Sequence, residues 1–339
     1  MEDEGIWSRK GPKMNLIFFD MEGPLSIHGN AYELMKLLPN GGQIFEAIRQ
    51  YDGLLAEEHH GGHEPGDLLA FIIPFLIHHG ISSDDIAKQA QNAAIVAGTR
   101  EFIASLEDWQ VFCITTSYEQ YASRIMERVG IAQDNLACTI FPVDHYRSLM
   151  QKEDHGVVAV AEQEILAFKP GDVEGFKKRL DRFYLQELPH TSLGLALREV
   201  KPMGGSRKLA ALERFAQAHG QSLDRAVAVG DSITDAMMLE AVNNAGGLAV
   251  AFNADEHSLP HATIGLASTN LGDLAIALDA WQEGGRNYVE RVVREKERPG
   301  GKVDRDNFHW LAGRSEIKEP LQIHKRIRRI VQEVAGEIA

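Results

Sequence analysis

Three short apolar segments of this 339-residue chain each end in residues that could do chemistry. Asp20 follows the run LIFF, Thr115 follows VFCI, and Asp231 follows AVAVG. Short apolar runs without a helical period are typical of buried strands. In an open parallel sheet, ligands bind beyond the carboxyl ends of the strands. We therefore expect two carboxylates and a hydroxyl group to meet at one edge of a sheet.

A second carboxylate accompanies the third of these strand ends. Asp231 and Asp235 lie four residues apart, where the strand gives way to a helix. This spacing brings both near one position, and carboxylate oxygens are ligands that suit Mg²⁺. Taken alone the pair is a weak signal, because the helix dipole also favours an acid in the first helical turn.

Strands that alternate with helices predict an α/β fold with a Rossmann-like parallel sheet. We expect the core at 14–24, 96–139 and 199–284. Between these segments, 25–95 carries helical periodicity, with an N-cap at Ser82-Ser83-Asp84-Asp85, and we expect it to form a helical cap over the site. Residues 140–198 predict a second insertion of α+β character, with strands at 156–160 and 193–200. We expect a flexible leader at 1–13 and a helical C-terminal extension at 285–339.

Composition excludes several classes of protein. Asp and Glu number 49 and Lys and Arg 35, so the net charge of −14 disfavours a nucleic-acid binder. The longest apolar run, near Leu68–Ile77, is too short to span a bilayer. Two cysteines, Cys113 and Cys138, cannot make a disulfide framework and are expected to be buried thiols. Because the N-terminus is polar, we expect a cytoplasmic protein.

Four motifs in this order resemble those of the haloacid dehalogenase-like (HAD) hydrolase superfamily, most closely its phosphoserine-phosphatase-like branch. They are Asp20-Met21-Glu22-Gly23-Pro24, the strand that ends at Thr115, Lys208 near the start of a helix, and Gly230-Asp231-Ser232-Ile233-Thr234-Asp235. The last motif matches the family pattern fully. Each motif lies on the kind of element that the family pattern requires, which makes the combination specific.

The resemblance implies a two-step hydrolysis of a phosphate ester. Asp20 would attack phosphorus and form an aspartyl-phosphate. Glu22 would protonate the leaving group and then activate water. Thr115 would hold phosphate oxygens, and Lys208 would offset the crowding of negative charge.

The resemblance also implies Mg²⁺ as cofactor. Its ligands would be the Asp20 carboxylate, the backbone carbonyl of Glu22 and the Asp231 carboxylate. Asp235 would complete or orient the metal shell.

Some of these assignments have alternatives in the neighbouring residues. Thr116 or Ser117 could take the place of Thr115, because clustered hydroxyls after strands also form ordinary turns. Lys201 or Arg207 could take the place of Lys208.

The first motif departs from the commonest family pattern, because Glu22 stands where most phosphatases carry Asp. The longer side chain is compatible with catalysis and leaves open the balance of hydrolysis against transfer. It also disfavours the dehalogenase branch, which lacks this acid.

Other polar groups have simpler explanations. The histidine-rich loop 57–64 is expected to be a solvated loop between cap helices, although it could contact metal or phosphate. His28 is a weak candidate for substrate contact. The basic run 325–329 is expected to be one face of an exposed helix.

We expect a Mg²⁺-dependent phosphatase for a small phosphorylated metabolite, with no nucleic-acid or membrane partner. A phosphotransferase would use the same intermediate. A third reading is a non-catalytic accessory protein, because a subunit R-like group of archaeal energy-converting hydrogenases resembles this motif and layout. The sequence leaves homo-oligomerisation open.

Overall fold

The predicted parallel sheet is confirmed in the computed structural model, which describes residues 14–27, 29–58, 62–168, 171–297 and 307–338. Its strands are β1 (Asn15–Phe19), β2 (Trp109–Tyr118), β3 (Leu136–Thr139), β4 (Ala226–Gly230), β5 (Leu248–Phe252), β6 (Ile264–Ala267) and β7 (Asn307–Trp310). They form one sheet in the order β3-β2-β1-β4-β5-β6-β7, parallel except for β7. The chain adds β2 and β3 on one side of β1 and then crosses to place β4 on the other side. The strands β1 and β4 therefore flank the topological switch point.

Both faces of the sheet are buried. In β1, Ile17 and Phe19 pack into one apolar core, whereas Leu16 and Phe18 pack into the other. Successive side chains of a strand point to opposite faces, so a strand covered on both sides is apolar throughout. The abrupt change to Asp20 therefore marks the end of the strand. Cys113 and Cys138 are buried free thiols, as expected.

Helices pack on both sides of the sheet and fill the link between its first two strands. The link contains α1 (Asn30–Met35), α2 (Gly41–Glu57), α3 (Leu68–His78), α4 (Ser83–Asn92) and α5 (Thr99–Ser105). The predicted N-cap of α4 is confirmed, because Ser82 and Asp85 form a reciprocal capping box. The core is completed by α6 (Glu119–Val129), which follows β2.

The second insertion is helical in the residues that the structure describes, so its predicted α+β character is wrong. It contains α7 (Val143–Leu149), α8 (Lys152–Ala167), α9 (Val173–Arg182) and α10 (Leu193–Glu199). The predicted strand at 156–160 lies within α8, where Val158, Ala161 and Ile165 are buried at helical spacing. The predicted strand at 193–200 is mostly α10. Packing of one apolar face overrides the strand preference of β-branched residues.

The C-terminal third returns to the sheet. It contains α11 (Ser206–Ala218), α12 (Ala236–Ala245), α13 (Ala275–Lys296) and α14 (Lys318–Ile338). The extension is predicted as helical, but β7 pairs antiparallel with β6 at the sheet edge. Its Phe308 and Trp310 are buried, which explains why this short segment pairs. None of the helices in the described part of the chain is long and apolar enough to cross a membrane.

Candidate active site

Asp20 lies directly after β1 and is almost completely buried. Its Oδ1 atom is 2.7 Å from Nζ of Lys208 and accepts a hydrogen bond of 2.7 Å from the backbone N–H of Met21. Burial, Asp235 and Asp231 together raise the pKa of Asp20 well above its ordinary range, although Lys208 acts in the opposite direction. The negative charge of the Asp20 carboxylate is therefore not fully compensated, even with Lys208 beside it.

Lys208 lies in the first turn of α11 with its side chain fully buried. Its Nζ atom is 2.7 Å from Asp20 and 2.7 Å from Oδ1 of Asp235, so one ammonium group bridges the ends of β1 and β4. The two carboxylates raise the pKa of Lys208 despite its burial, and the lysine therefore stays charged. Of the two alternatives, Lys201 is exposed and Arg207 pairs with Asp67 at 2.9 Å.

Asp235 is fully buried and already engaged through both oxygens. Oδ1 accepts from Lys208, and Oδ2 accepts from the backbone N–H groups of Asp231 and Ser232, at 3.0 and 3.2 Å. These bonds fix the turn after β4 and point the carboxylate of Asp231 toward Asp20. Asp235 is therefore placed to orient Asp231 and Lys208.

Asp231 faces a basic residue from the C-terminal helix. The guanidinium group of Arg328, in α14, donates to Oδ2 of Asp231 and to its backbone carbonyl at 3.0 Å. It also donates to the carbonyl of Asn253 at 2.8 Å. The expectation that the run 325–329 is only an exposed face is therefore wrong for Arg328.

Sequence reasoning missed Arg328, although the helix carries a signal. His324, Ile327 and Ala335 are buried at helical spacing, and Arg328 follows His324 by four residues. Residues four apart lie on the same side of a helix, so Arg328 belongs to the packed side. A charge count over 325–329 hides this periodicity.

Glu22 is held between the core and the first insertion. Its Oε1 atom accepts a hydrogen bond of 2.6 Å from the Ser117 hydroxyl and one of 2.9 Å from the backbone N–H of Asn30. Oε2 lies near Gly29, where an added Cβ would approach it to 3.3 Å. These contacts fix Glu22 on the wall of the cavity that contains Asp20.

The hydroxyl residues of β2 point in different directions. Thr116 lines the cavity, and its backbone carbonyl accepts from Thr139 at 2.5 Å. Thr115 is fully buried and is not among the residues that line the cavity; its hydroxyl accepts from the backbone N–H of Ser117 at 3.1 Å. Thr116 therefore lines the same cavity as Asp20, whereas the Thr115 hydroxyl is used in a local hydrogen bond within the irregular end of β2.

Gly23 is the position where the first motif requires a glycine. Its φ of +96° lies in the left-handed region, and a Cβ would come within 2.4 Å of the Asp231 carboxyl carbon. The chain after Asp20 can therefore turn closely past the end of β4.

A loop of the first insertion is fastened to the start of α11. Glu64 accepts hydrogen bonds from the backbone N–H and the hydroxyl of Ser206, at 3.0 and 2.5 Å. Asp67 pairs with Arg207 one residue further on. Since Lys208 follows directly, the insertion helps to position a lysine of the core.

The histidine-rich segment is only partly described. His63 is largely buried and pairs with Asp52 at 2.9 Å, which raises the pKa of His63. His28, His59 and His60 lie outside the described residues, as does the leader 1–13.

A cavity of about 360 Å³ lies between the carboxyl end of the sheet, the first insertion and α14. One end is polar and contains Asp20, Glu22, Thr116, Asp231 and Arg328. The other end is mostly apolar and is formed by Ile27, Tyr32, Phe45, Leu68, Leu69 and Val331, with Asp52 beside them. A cavity of this size takes a small molecule with one charged end.

The polar end fits a hard divalent cation. Donor atoms of Asp20, Asp231 and Asp235 all lie within 4.8 Å of one another and are buried. Burial raises the pKa of Asp231 to about 7, although Arg328 lowers it, so this carboxylate also lacks compensating charge. Mg²⁺ prefers oxygen ligands, and a bound cation would supply the positive charge that these carboxylates lack.

Acidic residues after β1 and β4, a buried lysine between them and helices inserted after β1 are the features of a HAD-like fold. The chain is similar to the structure of gene product AF1437 from Archaeoglobus fulgidus, with a TM-score of 0.78 and 26% identity. That similarity covers 96% of this chain and 98% of the other.

The fold is also that of phosphoserine phosphatase. A substrate-bound complex of that enzyme superposes with a TM-score of 0.50 at 17% identity, and a phospho-aspartyl intermediate analogue with 0.51 at 17%. Each covers 78% of this chain and 98% of the other. No protein-family model and no curated protein matches the chain. The hydrogenase grouping is not shown by these similarities and stays a prediction.

Proposed function

We propose that this protein is a Mg²⁺-dependent phosphatase that acts on a small phosphorylated metabolite through an aspartyl-phosphate. The observation that carries the proposal is the arrangement around Asp20, whose Oδ1 atom is held by Lys208 and by the Met21 N–H. Within the described residues, Oδ2 accepts no hydrogen bond, and Asp20 lines the cavity. A carboxylate with one fixed and one free oxygen is preorganised to attack.

In the first step, Oδ2 of Asp20 forms a bond to phosphorus, and the bond from phosphorus to the ester oxygen breaks. Glu22, on the same cavity wall, gives its proton to the departing oxygen. In the second step, the Glu22 carboxylate takes a proton from water, whose oxygen attacks the same phosphorus. Inorganic phosphate leaves and Asp20 is regenerated.

The remaining polar groups would stabilise negative charge during both steps. Lys208 neutralises the carboxylates that face the phosphate, and Thr116 offers a hydroxyl to its oxygens. Asp20, Asp231 and the backbone carbonyl of Glu22 would hold Mg²⁺, with Asp235 fixing the turn that presents Asp231. When bound, the ion would withdraw charge from the phosphate and fix its orientation.

The two helical insertions act as a cap in this proposal. The first insertion supplies most of the apolar end of the cavity, and its loop at Glu64 ties it to α11. The second insertion packs against the first through α8. Closing such a cap would exclude water from Asp20 until the ester is bound. Specificity for the metabolite therefore lies in Tyr32, Phe45 and their neighbours.

The proposal is tested by steady-state turnover of p-nitrophenyl phosphate and a panel of phosphorylated metabolites, with and without Mg²⁺. We expect metal-dependent release of phosphate from at least one metabolite. Asp20→Asn should lower kcat by at least about 1,000-fold. The exposed Asp108 provides a control, because Asp108→Asn changes the same group elsewhere and should keep full activity. Failure to bind Mg²⁺, together with no turnover across the panel, would overturn the proposal.

A further inference from the structure

Three histidines and a glutamate meet where the two insertions pack together, away from Asp20. His78 ends α3 and His79 follows it, while His155 and Glu162 belong to α8. Nε2 of His79 lies 2.7 Å from Oε1 of Glu162, and Nδ1 of His78 lies 3.1 Å from Nδ1 of His155. None of the four residues lines the cavity that contains Asp20.

The spacing of these donors fits one metal ion. Donor atoms of His78, His79 and Glu162 all lie within 4.8 Å of one another. In a tetrahedral zinc site, ligands about 2.0–2.1 Å from the metal are roughly 3.3–3.4 Å apart. The contacts at 2.7 and 3.1 Å would open by well under 1 Å through side-chain rotation, and His155 is the candidate for the fourth ligand because it contacts His78.

The imidazoles are suited to metal rather than to protons. Two ring nitrogens that face each other at 3.1 Å can share only one proton, which leaves a lone pair between them. A neutral imidazole lone pair is the form that binds zinc.

We propose that His78, His79, His155 and Glu162 bind one divalent transition-metal ion, with Zn²⁺ as the best match to three imidazoles and one carboxylate. The ion joins the end of α3 to α8 and so fastens the first insertion to the second. With all four positions taken by protein groups, it is a structural site. The proposal is independent of the phosphatase chemistry.

The first experiment measures Zn²⁺ binding to the untagged full-length chain by competition with a chromophoric chelator. Excess Mg²⁺ is present to occupy the carboxylate site. We expect one tight equivalent of Zn²⁺. His79→Gln and Glu162→Gln should each weaken binding at least about 100-fold, since loss of a residue beyond the ligands already costs 10–100-fold. His190→Gln, at an exposed histidine, serves as the matched control and should bind like the unaltered protein.

A second measurement separates this site from the carboxylates near Asp20. Co²⁺ bound by three imidazoles in a tetrahedral site absorbs strongly in the visible, whereas six oxygen ligands give weak bands. We expect the strong spectrum from the unaltered protein and its loss in His78→Gln. Zn²⁺ should also raise the Tm of the unaltered protein and not that of Glu162→Gln. Equal Zn²⁺ affinity in His79→Gln, Glu162→Gln and the unaltered chain would overturn the proposal, as would a weak Co²⁺ spectrum.

Discussion

Arg328 of the C-terminal helix donates a hydrogen bond to the carboxylate of Asp231, the acidic residue that follows β4. It brings a positive charge to a cavity that also contains the carboxylates of Asp20, Glu22 and Asp52. Arg328 is the one lysine or arginine among the described residues that line this cavity. The C-terminal extension is thus part of the candidate active site.

The position of Arg328 predicts a role in holding an anionic substrate. Arg328→Gln should raise KM for a phosphorylated substrate by about 10–100-fold and lower kcat less, because a charge near bound phosphate is lost. Arg328→Lys should recover part of the affinity. Steady-state kinetics with the best metabolite measures both effects. The exposed Arg329 supplies the control, and an equal rise in KM for Arg329→Gln would contradict the assignment.

Lys208 should be needed for folding stability as well as for turnover. Lys208→Met leaves the buried carboxylates of Asp20 and Asp235 without their shared partner, and loss of one partner of a buried pair costs about 3–5 kcal/mol. Urea unfolding in the absence of metal measures this cost, and phosphatase assays measure the loss of activity. Lys201→Met, at the exposed alternative, should change neither by much. A stable and active Lys208→Met protein would rule out the bridging role.

The hydrogen bond from Ser117 to Glu22 predicts that substitutions of these two residues lower kcat to different extents. Glu22→Gln should lower kcat by about 100–10,000-fold, the range of general acid–base catalysis. Ser117→Ala removes one of two hydrogen bonds to Oε1 and leaves Asn30 in place, so it should cost only about 10-fold. The pH profile of kcat distinguishes the two cases, since the profile should change in Glu22→Gln. Identical profiles in Glu22→Gln and the unaltered enzyme would show that another group moves the proton.

Binding of Mg²⁺ should release a proton. Burial raises the pKa of Asp231 to about 7 in the absence of a cation, so this carboxyl is protonated below that pH and must ionise to bind metal. The affinity for Mg²⁺ is therefore expected to be near its plateau above pH 8. It should fall up to about tenfold per unit as the pH drops below 7. Isothermal titration in buffers of different ionisation enthalpy measures the affinity and the proton count. An affinity that is flat between pH 8 and 6 would exclude this linkage.

The central strands could be predicted because each is a short apolar run that stops at a polar residue. The segments LIFF before Asp20 and AVAVG before Asp231 are too short for buried helices and apolar throughout, so a buried strand is the element that fits them. Their adjacency follows from the rules of parallel sheets, so the meeting of Asp20 with Asp231 was also predictable. To predict Lys208, the start of the following helix had to be recognised as well, because this lysine lies in the first turn of α11.

The second insertion could not be read in the same way. Val157, Val158 and Val160 favour a strand locally, but the buried side of α8 is set by contact with other helices. Likewise, the sequence around Thr115 places three hydroxyls in succession, and the register shift of β2 against β3 accompanies the turn of Thr116 toward the cavity. Such outcomes depend on neighbours that are distant in sequence.

The identity of the nucleophile is tested most directly by trapping the covalent intermediate. Glu22→Gln should slow its hydrolysis, so the variant is mixed with Mg²⁺ and an aryl phosphate, quenched in acid and digested for mass spectrometry. We predict one phosphoryl group on the carboxylate of Asp20, formed together with one equivalent of released phenol. A phosphoryl group on a different residue, or turnover by the unaltered enzyme with no trapped group in either protein, would contradict it.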